Sequence, residues 1–320
     1  MARTAASLPA GSRITDYISL GVVAKFFPVE KVHDALNQAK RASVRERDLP
    51  AHLVVYYVIA LALYMRSSYR EVLRCLLEGV QWLLDPSVAI KVAGKSGISQ
   101  ARSRLGAEPL RTLYEAVVAP IAESRTRGAW YQHWRLISLD GSILDVADTV
   151  ENHEAFGGPG ASRGSRAFPQ IRLVGLLENG THVLWNARMA DYATDEITLA
   201  QDVVPGLHKG MLCLADRFSP SYELWRAAAK TGADLLWRVP HHAPLEVDQR
   251  LPDGSYLSRI YASTQDRRKQ RNAIVVRVIE YRLKDVPGAE PIYRLITTIL
   301  DPAAAPAREL AALYHERWTN

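Results

Sequence analysis

The run Leu136-Ile137-Ser138-Leu139 leads directly into Asp140-Gly141-Ser142, and this junction is the strongest structural signal in the chain. Four largely apolar residues are the length of a short buried strand, and Asp-Gly is typical of a turn. A second apolar run, residues 211–215, ends in the same manner at Asp216. The two junctions predict two buried strands, each with a carboxylate at its C-terminal end.

The neighbouring segments indicate an α/β sheet around these strands. Residues 171–177 and 182–187 are apolar runs that flank Glu178-Asn179-Gly180-Thr181, and Asn-Gly between two such runs predicts a hairpin. Helices are predicted at 195–204 and 221–230, and a further strand at 234–239. The resulting order of strand, hairpin, helix, strand, helix and strand is that of an α/β fold with one antiparallel member.

The segment after residue 239 breaks this alternation. Turns near Pro240 and Pro252 accompany strand-like runs at 273–281 and 292–299, and helical spacing returns at about Pro306. We therefore predict an α/β core over residues 130–320 that is interrupted by a β-rich insertion at about 240–303.

The first 129 residues predict an all-α region. Apolar residues recur there at three- and four-residue spacing, and Pro50 suits the first turn of the most apolar helix. Ser99 is a reasonable N-cap for a helix that Gly106 and Pro109 interrupt. The helical stretches are 23–27, 32–35, 53–65, 69–77 and about 98–124.

Composition excludes several classes of protein. Of the 320 residues, 48% are hydrophobic and 23% are charged, which rules out a disordered or collagen-like chain, and the net charge of +6 suggests a polyanionic partner. Two distant cysteines, Cys75 and Cys213, exclude a disulfide scaffold and a cysteine zinc site. The most apolar run, 53–65, is too short for a bilayer, and no secretory signal is present. We expect a cytoplasmic protein that does not enter a membrane.

Asp140 and Asp216 are candidate metal ligands. In α/β sheets, ligand sites form beyond the carboxyl ends of strands. Two carboxylates there could share divalent cations such as Mg²⁺, which prefers hard oxygen ligands. The competing interpretation is that each aspartate merely caps the turn that follows it. The residues alone leave both interpretations open.

Three motifs in order along the chain resemble a known family. They are Asp140-Gly141-Ser142, Leu214-Ala215-Asp216-Arg217-Phe218-Ser219 and Tyr314-His315-Glu316-Arg317-Trp318. Together they resemble the DDE transposases of the insertion-element-four family, whose signature is Tyr-x2-Arg-x3-Glu-x6-Lys. The stretches at 47–51, 98–106 and 145–157 also resemble this family, so the resemblance covers most of the chain.

The resemblance implies a ribonuclease-H-like catalytic core after an N-terminal DNA-binding region at 1–129. Asp140 and Asp216 would be the first two catalytic carboxylates and would hold two Mg²⁺ ions together with a third. Tyr314 and Arg317 would contact phosphates near the cleaved DNA end. The implied partners are double-stranded DNA, as terminal inverted repeats and target, and a second copy of the chain in a paired-end complex. The implied location is the bacterial cytoplasm, in association with DNA.

The family signature places the catalytic Glu at position 321 and a Lys seven residues later, whereas the sequence ends at Asn320. Glu316 is not a substitute, because it precedes Arg317 and lies on another face of the helix. We therefore expect a truncated chain that is inactive in cleavage. The alternative function is a non-catalytic end-binding protein that regulates transposition, and a third is a general α/β metal-dependent nuclease.

Two groups of basic residues are predicted to contact the DNA backbone. One lies in the N-terminal region and the other in the insertion, where four cations occur within five positions. The groups are Arg102, Arg104 and Arg111, and Arg267, Arg268, Lys269 and Arg271. Such runs suit a surface that follows phosphates. The competing interpretation of the second group is a solvated hairpin tip.

Overall fold

The computed structural model of the chain describes residues 20–45, 49–64, 67–84, 93–160, 167–216, 221–283 and 290–316. The chain forms two compact units, Met1–Val118 and Ala119–Asn320. Each unit buries a hydrophobic cluster of its own.

The regular elements that the structure describes in the first unit are all helices. Its helices are α1 (Leu20–Phe26), α2 (Val29–Gln38), α3 (Ala51–Leu63), α4 (Tyr69–Leu84), α5 (Lys95–Leu105) and α6 (Glu108–Val117). Their apolar stripes meet in a cluster that includes Val32, Leu36 and Leu73, each at most 1% exposed. The apolar periodicity therefore predicts these helices correctly. Within the described ranges, no helix combines the length and apolar character needed to cross a membrane.

The boundaries of α5 and α6 differ from the prediction. α5 begins at Lys95 because Gly94 adopts the extended backbone of an N-cap, which leaves Ser99 inside the helix. Gly106, at φ 69°, ends α5 in a left-handed conformation that glycine adopts without strain. Pro109 does not interrupt a helix but lies in the first turn of α6, where proline is tolerated.

The second unit combines one large sheet with helices. Its strands are β1 (Trp130–Tyr131), β2 (Trp134–Asp145), β3 (Gln170–Glu178), β4 (Val183–Asp191), β5 (Met211–Ala215), β6 (Asp234–Val239), β7 (Gln249–Arg250), β8 (Tyr256–Ile260), β9 (Ile274–Tyr281) and β10 (Tyr293–Thr297). Its helices are α7 (Val150–Phe156), α8 (Glu196–Val203), α9 (Tyr222–Lys230), α10 (Thr264–Arg268) and α11 (Ala307–Glu316). The unit is a mixed α/β fold, as predicted.

The strands form a sheet in the order β4-β3-β2-β5-β6-β10-β9-β8-β7, with β1 paired to β2. β2 pairs in parallel with β5, and β5 with β6, whereas β3 lies antiparallel between β2 and β4. In the sheet, β4, β3, β2, β5 and β6 are successive neighbours, and β3 is the one that runs antiparallel to the others. The sequence order predicts one such antiparallel strand. β5 is buried at all of its positions, as expected for a parallel strand at the centre of an α/β sheet.

The β-rich segment at about 240–303 continues this sheet. β10 pairs antiparallel with β6, and β9, β8 and β7 follow in turn. If β10 were absent, β6 would present a row of open N–H and C=O groups at a sheet edge. The segment is rich in strands, as predicted, but these strands extend the central sheet and do not form a separate layer.

β2 is longer than predicted, and Asp140 lies inside it. The parallel ladder with β5 ends at Leu139, but the antiparallel ladder with β3 continues to Asp145. The prediction of a turn at Asp140-Gly141 is therefore wrong. The physical reason is that β3 supplies a pairing partner for β2 beyond Leu139, and the local sequence pattern does not reveal this partner.

The carboxylate of Glu178 attaches residues 119–129 to the second unit. Its Oε2 accepts hydrogen bonds from the backbone N–H groups of Ile121 and Ala122, each at 2.9 Å. The side chain of Glu178 is fully buried. Residues 119–129, which the sequence assigns to the N-terminal region, accordingly group with the second unit.

Two side chains complete the surroundings of Glu178. The hydroxyl of Thr181 donates to Oε2 at 2.6 Å, and Arg135 forms an ion pair with the same carboxylate. Burial raises the pKa of Glu178, but the hydrogen bonds from Thr181, the two backbone N–H groups and Arg135 outweigh it. They hold the pKa of Glu178 below its ordinary value. Glu178 therefore contributes to stability as an anion.

We expect Glu178→Gln to lower the free energy of unfolding by about 2–4 kcal/mol at about pH 7. The substitution leaves the charge of Arg135 without its partner. A carboxyl group whose pKa is lower in the folded state stabilises the fold above its unfolded-state pKa, and this stability is lost as the pH falls through the folded-state pKa. The difference between the two proteins should thus shrink as the pH falls below 4.5, the ordinary pKa of glutamate.

Urea unfolding at a series of pH values measures this difference. Glu223→Gln, which removes a surface ion pair with Arg226, is the matched control and should change stability by less than about 1 kcal/mol. A Glu178→Gln effect that stays constant through the acid range would contradict an ionised Glu178 in the folded state.

A second buried ion pair joins α11 to the β-rich segment. Arg277 on β9 is fully buried, forms an ion pair with Asp253 and donates to Ser255 Oγ at 2.8 Å. Its guanidinium also donates to the backbone carbonyl of Ala305 at 2.8 Å. Asp253 in turn accepts the backbone N–H of Ala307, the first residue of α11, at 2.8 Å. The pair therefore holds the N-terminal end of α11.

Candidate active site

Asp140 and Asp216 occupy equivalent positions next to each other, each directly after the last residue that β2 and β5 pair in parallel. The last pair in the ladder between β2 and β5 is Leu139↔Ala215, so the next residue along each strand is an aspartate. Neighbouring strands lie about 4.8 Å apart. The register thus brings together the two carboxylates that the sequence singles out, although they are far apart along the chain.

Both aspartates belong to the face of the sheet on which α11 packs. Side chains alternate between the two faces of a strand, so Asp140 shares a face with Leu136, and Asp216 shares one with Leu214. Both leucines lie in the buried cluster that contains Leu310 of α11. Asp140 itself is exposed, and 31% of the Asp216 side chain is accessible. A helix therefore covers the face from which the two carboxylates project.

Arg238 lies beside Asp216 and was not among the predicted site residues. Because Ala215 pairs with Trp237, Arg238 is the next residue of β6 beside Asp216, and its Nη1 lies 3.6 Å from Asp216 Oδ1. Its Nη2 lies 2.6 Å from a carboxylate oxygen of Glu290, and its guanidinium lies 4.7 Å from the centre of the Tyr293 ring. The signal that could have found it is an arginine directly after the apolar run 235–237 of β6.

Gly141 lies inside β2 next to the first residue of α8. Its backbone N–H donates to Asp140 Oδ1 at 2.9 Å. A Cβ at this position would lie 2.9 Å from Oε1 of Glu196, the far end of a flexible side chain. Glu196 Oε1 is also 3.7 Å from Nη1 of Arg172 on β3. A side chain at residue 141 would therefore displace the end of the Glu196 side chain.

The chemistry of the aspartate pair suits a hard divalent cation. Carboxylate oxygens are the ligands that Mg²⁺ prefers, and Mg²⁺ binds through one or two protein carboxylates while it retains several waters. In the part of the chain that the structure covers, no group of three or more His, Cys, Asp and Glu side chains is arranged to hold a metal ion. Asp140 and Asp216 thus fit part of a ligand set.

Tyr314 lies in the core of the second unit. It is 2% exposed and packs in the same cluster as Leu310. The burial fits a role of this ring in core packing, and a contact from Tyr314 to a DNA phosphate stays a prediction. Arg317, which shares the family signature with Tyr314, lies outside the described residues.

The basic residues of the first unit differ in their surroundings. Arg102 and Arg104 are exposed on α5, and the Arg102 guanidinium lies 5.5 Å from the centre of the Tyr69 ring. Arg111 on α6 lies within 4 Å of two carboxylates, at 3.8 Å from Glu108 and 3.6 Å from Glu115. Arg102 and Arg104 are therefore better placed than Arg111 to meet an anionic ligand.

The basic run of the β-rich segment surrounds the end of α10. Arg268, Lys269 and Arg271 are exposed, whereas 24% of the Arg267 side chain is accessible. Arg267 Nε lies 3.8 Å from a carboxylate oxygen of Glu246 and lines a cavity of about 310 Å³. Three of the four predicted cations are thus exposed, and Arg267 is directed toward the body of the second unit.

Comparison with known proteins gives matches in both units. Residues 17–115 match the family described as the insertion element 4 transposase N-terminal region. Residues 134–319, which include both aspartates, match the transposase DDE domain. The second match covers more than half of the chain.

Two relatives from Escherichia coli (strain K12) resemble the chain. One is named "Transposase InsG for insertion sequence element IS4" and is 25% identical over 302 residues, which are 90% of this chain and 64% of the relative. The other, "Putative transposase InsZ", is 26% identical over 223 residues, 69% of this chain and 72% of the relative. The chain thus spans less than two thirds of the first relative's length. With the two domain matches in the same order, the chain belongs to the insertion element 4 family of DDE transposases.

Proposed function

We propose that the chain is the DNA transposase of an insertion sequence, which binds terminal inverted repeats and catalyses metal-dependent strand cleavage and strand transfer. The observation that carries this proposal is the register of β2 and β5, which aligns Asp140 with Asp216 on the face covered by α11. Family membership supplies the reaction class. A general metal-dependent nuclease would use the same two aspartates. Cleavage that does not depend on the repeat sequence would therefore favour a general nuclease over a transposase.

We infer a ribonuclease-H-like core for the strands β4-β3-β2-β5-β6. The support is the strand order, in which β2 is central and carries the first aspartate, while its parallel neighbour β5 leads to the second. A site just beyond the end of the parallel ladder between β2 and β5 agrees with the general location of ligand sites in α/β sheets.

Asp140 and Asp216 would bind Mg²⁺, two ions in the complete site, together with a third carboxylate. The metal ions supply an activated oxygen nucleophile and a stabilised leaving oxygen for an in-line displacement at phosphorus. No serine or histidine of the chain is needed as a nucleophile. Arg238 places a positive charge beside Asp216 and also pairs with Glu290, so it would hold the Asp216 carboxylate in position.

The DNA contacts are proposed on basic surfaces separate from this site. In the first unit, the exposed Arg102 and Arg104 would contact the element ends, and in the β-rich segment Arg268, Lys269 and Arg271 would follow the backbone. These contacts position the duplex and do not read its sequence.

Near the cleaved end, Tyr314 and Arg317 would contact phosphates, as the family signature implies. Because Tyr314 is buried, such a contact requires its hydroxyl to become accessible when DNA binds.

We also propose that two copies of the chain act together in a paired-end complex. A test of that assembly is the mass of the complex with repeat DNA, measured by light scattering.

The alternative function is a non-catalytic protein that binds the element ends and regulates transposition. It rests on the finding that the two aspartates are not accompanied by a third metal-ligating side chain among the described residues. The two proposals share DNA binding and differ in cleavage.

The test is to assay the 320-residue chain on a supercoiled plasmid carrying the DNA that flanks its coding sequence. We expect binding that weakens steeply with salt and little Mg²⁺-dependent cleavage, because the family's third carboxylate falls at position 321. Extending the chain through that Glu should restore cleavage if the transposase proposal is right. Failure of the extended chain to cleave would favour the regulatory function, and absence of DNA binding would contradict both.

A further inference from the structure

The first unit contains a basic cavity that no residue of the proposed active site touches. It has a volume of about 320 Å³ and lies between the loop after α2 and the C-terminal end of α5. The loop contributes Lys40, Arg41 and Arg45, and α5 contributes Arg104. Cations from two segments that are distant in the sequence thus meet around one cavity.

Among the residues that the structure describes, no aspartate or glutamate lines the cavity around these four charges. Across the ranges that the structure describes, none of the four cations forms an ion pair, in contrast to Arg111 of the same unit, which lies near two glutamates. All four residues are exposed. Uncompensated cations around a cavity repel one another, and this cost is recovered when an anion binds.

The loop that presents these cations is held in place. Lys40 takes up a left-handed backbone with φ 54°, and the backbone N–H of Arg41 donates to the Leu36 carbonyl at 2.8 Å. Ser43 Oγ accepts the backbone N–H of Ala51, the first residue of α3, at 2.9 Å. Arg41 and Ser43 are therefore joined by hydrogen bonds to α2 and α3, respectively.

A further hydrogen bond connects the loop to α5. Arg41 Nη1 donates to the backbone carbonyl of Arg104 at 3.3 Å, near the C-terminal end of that helix. Arg102 is exposed on the same helix, but it lies two residues before Arg104 and therefore projects from the opposite side of α5. The basic surface of the cavity is thus defined by Lys40, Arg41, Arg45 and Arg104.

We propose that this cavity binds successive phosphodiester groups of duplex DNA, an inference that rests on the proposed function. A single phosphate carries a charge of about −1.5 to −2, whereas each phosphodiester of DNA carries one negative charge. Four separate cations therefore match several linked phosphodiesters better than one free phosphate. The contacts are to the backbone, so they add affinity for any sequence.

The test measures DNA affinity against salt concentration for the full chain and for the variant Lys40→Gln/Arg45→Gln/Arg104→Gln. Arg41 is left unchanged because its guanidinium joins the loop to α5. Each lost phosphate contact reduces the slope of log affinity against log salt by about 0.9, so the triple variant should lose about 2–3 in slope. Its affinity should fall about 10- to 100-fold at about 0.1 M salt, equally on repeat DNA and on scrambled DNA.

Arg74→Gln is the control, because Arg74 belongs to the same unit and forms an ion pair with Glu71 on the same helix. It should leave the slope within about 0.5 of the parent, and thermal unfolding should show that all variants are folded. If the parent binds DNA and the triple variant keeps its slope, the cavity assignment is wrong and the proposed function stands. If the parent binds no DNA, the proposed function fails as well.

A titration with inorganic phosphate tests whether the cavity binds free phosphate and not the phosphodiesters of DNA. If phosphate alone raises the melting temperature of the parent but not of the triple variant, while the DNA slopes agree, the cavity is a site for free phosphate and the proposal is overturned. If phosphate has no such effect and the DNA slopes differ as stated, the proposal is supported.

Discussion

Arg277→Met is expected to lower the free energy of unfolding by about 3–5 kcal/mol, the range found when one partner of a buried ion pair is removed. Arg277 is fully buried and pairs with Asp253, and it also donates to Ser255 and to the carbonyl of Ala305. Methionine retains the apolar part of the side chain but provides no donor. The carboxylate of Asp253 and the carbonyl of Ala305 then lose a charged donor in a partly desolvated place.

The effect should be detectable at α11 as well as in global stability. Asp253 accepts the backbone N–H of Ala307, and it does so as an anion. Burial raises the pKa of Asp253, but hydrogen bonds from Ser255 and Ala307 and the charge of Arg277 together hold it below its ordinary value. Without Arg277 the cap weakens, so backbone amides in the first turn of α11 should exchange hydrogen faster than in the parent.

Urea unfolding and hydrogen exchange measure the two consequences. Arg226→Met is the control, since Arg226 pairs with Glu223 at the surface and its loss should cost less than about 1 kcal/mol. Equal stability of Arg277→Met and Arg226→Met would show that the buried pair does not hold the fold together. Unchanged exchange at α11 would show that it does not position this helix.

Asp140→Asn and Asp216→Asn are each expected to reduce Mg²⁺-dependent strand cleavage at least about 100-fold in a chain extended to include the Glu that the family signature places at position 321. Asparagine keeps the size of the side chain but removes the charge that holds a metal ion. Both residues follow the last pair of the β2 and β5 ladder, so both should be equally sensitive. The amide retains shape, and the fold should be unaffected.

Metal binding by the 320-residue chain gives a readout that is independent of cleavage. Mn²⁺ titration by calorimetry should show weaker binding for each variant than for the parent, by at least about 10-fold. DNA affinity without metal should change little, because it depends on basic surfaces elsewhere in the chain. Metal affinity equal to that of the parent in both variants would remove these residues from the site.

Asp145→Asn is the matched control for both aspartates. It lies on β2 with Asp140, but on the opposite face by strand alternation, and its carboxylate accepts a hydrogen bond from Gln170 at 2.8 Å. Cleavage and metal binding should therefore be unchanged. A loss as large as that for Asp140→Asn would indicate general damage to β2 and not a loss of a metal ligand.

Much of the fold follows from local patterns in the chain. The hairpin at Glu178-Asn179-Gly180-Thr181, the strands β5 and β6 and the helices of the first unit are all indicated by periodicity and turn residues. Such signals are local, because the spacing of apolar residues within a few turns or strand positions selects the conformation that can bury them. The two aspartates stand out for the same reason, as charged residues that follow apolar runs.

The boundaries of β2 and the surroundings of the site could not be predicted in this way. Asp140 is a strand residue because β3 pairs with it, and Glu196 of α8 packs next to Gly141. Arg238 enters the site because β6 pairs in register with β5. Each of these facts depends on which strands become neighbours and not on the residues next to Asp140.

The residue order thus specifies which elements form and which carboxylates follow the apolar runs, since both depend on short-range geometry. The tertiary structure alone places Asp216 beside Asp140, Arg238 beside Asp216, and Arg277 against Asp253. Such pairs form between residues far apart in the chain, and they persist because burial of the sheet and its helices outweighs the entropy lost in bringing them together. Local sequence carries no measure of that balance, which is why the two candidate ligands stand out in the sequence and their spatial neighbours do not.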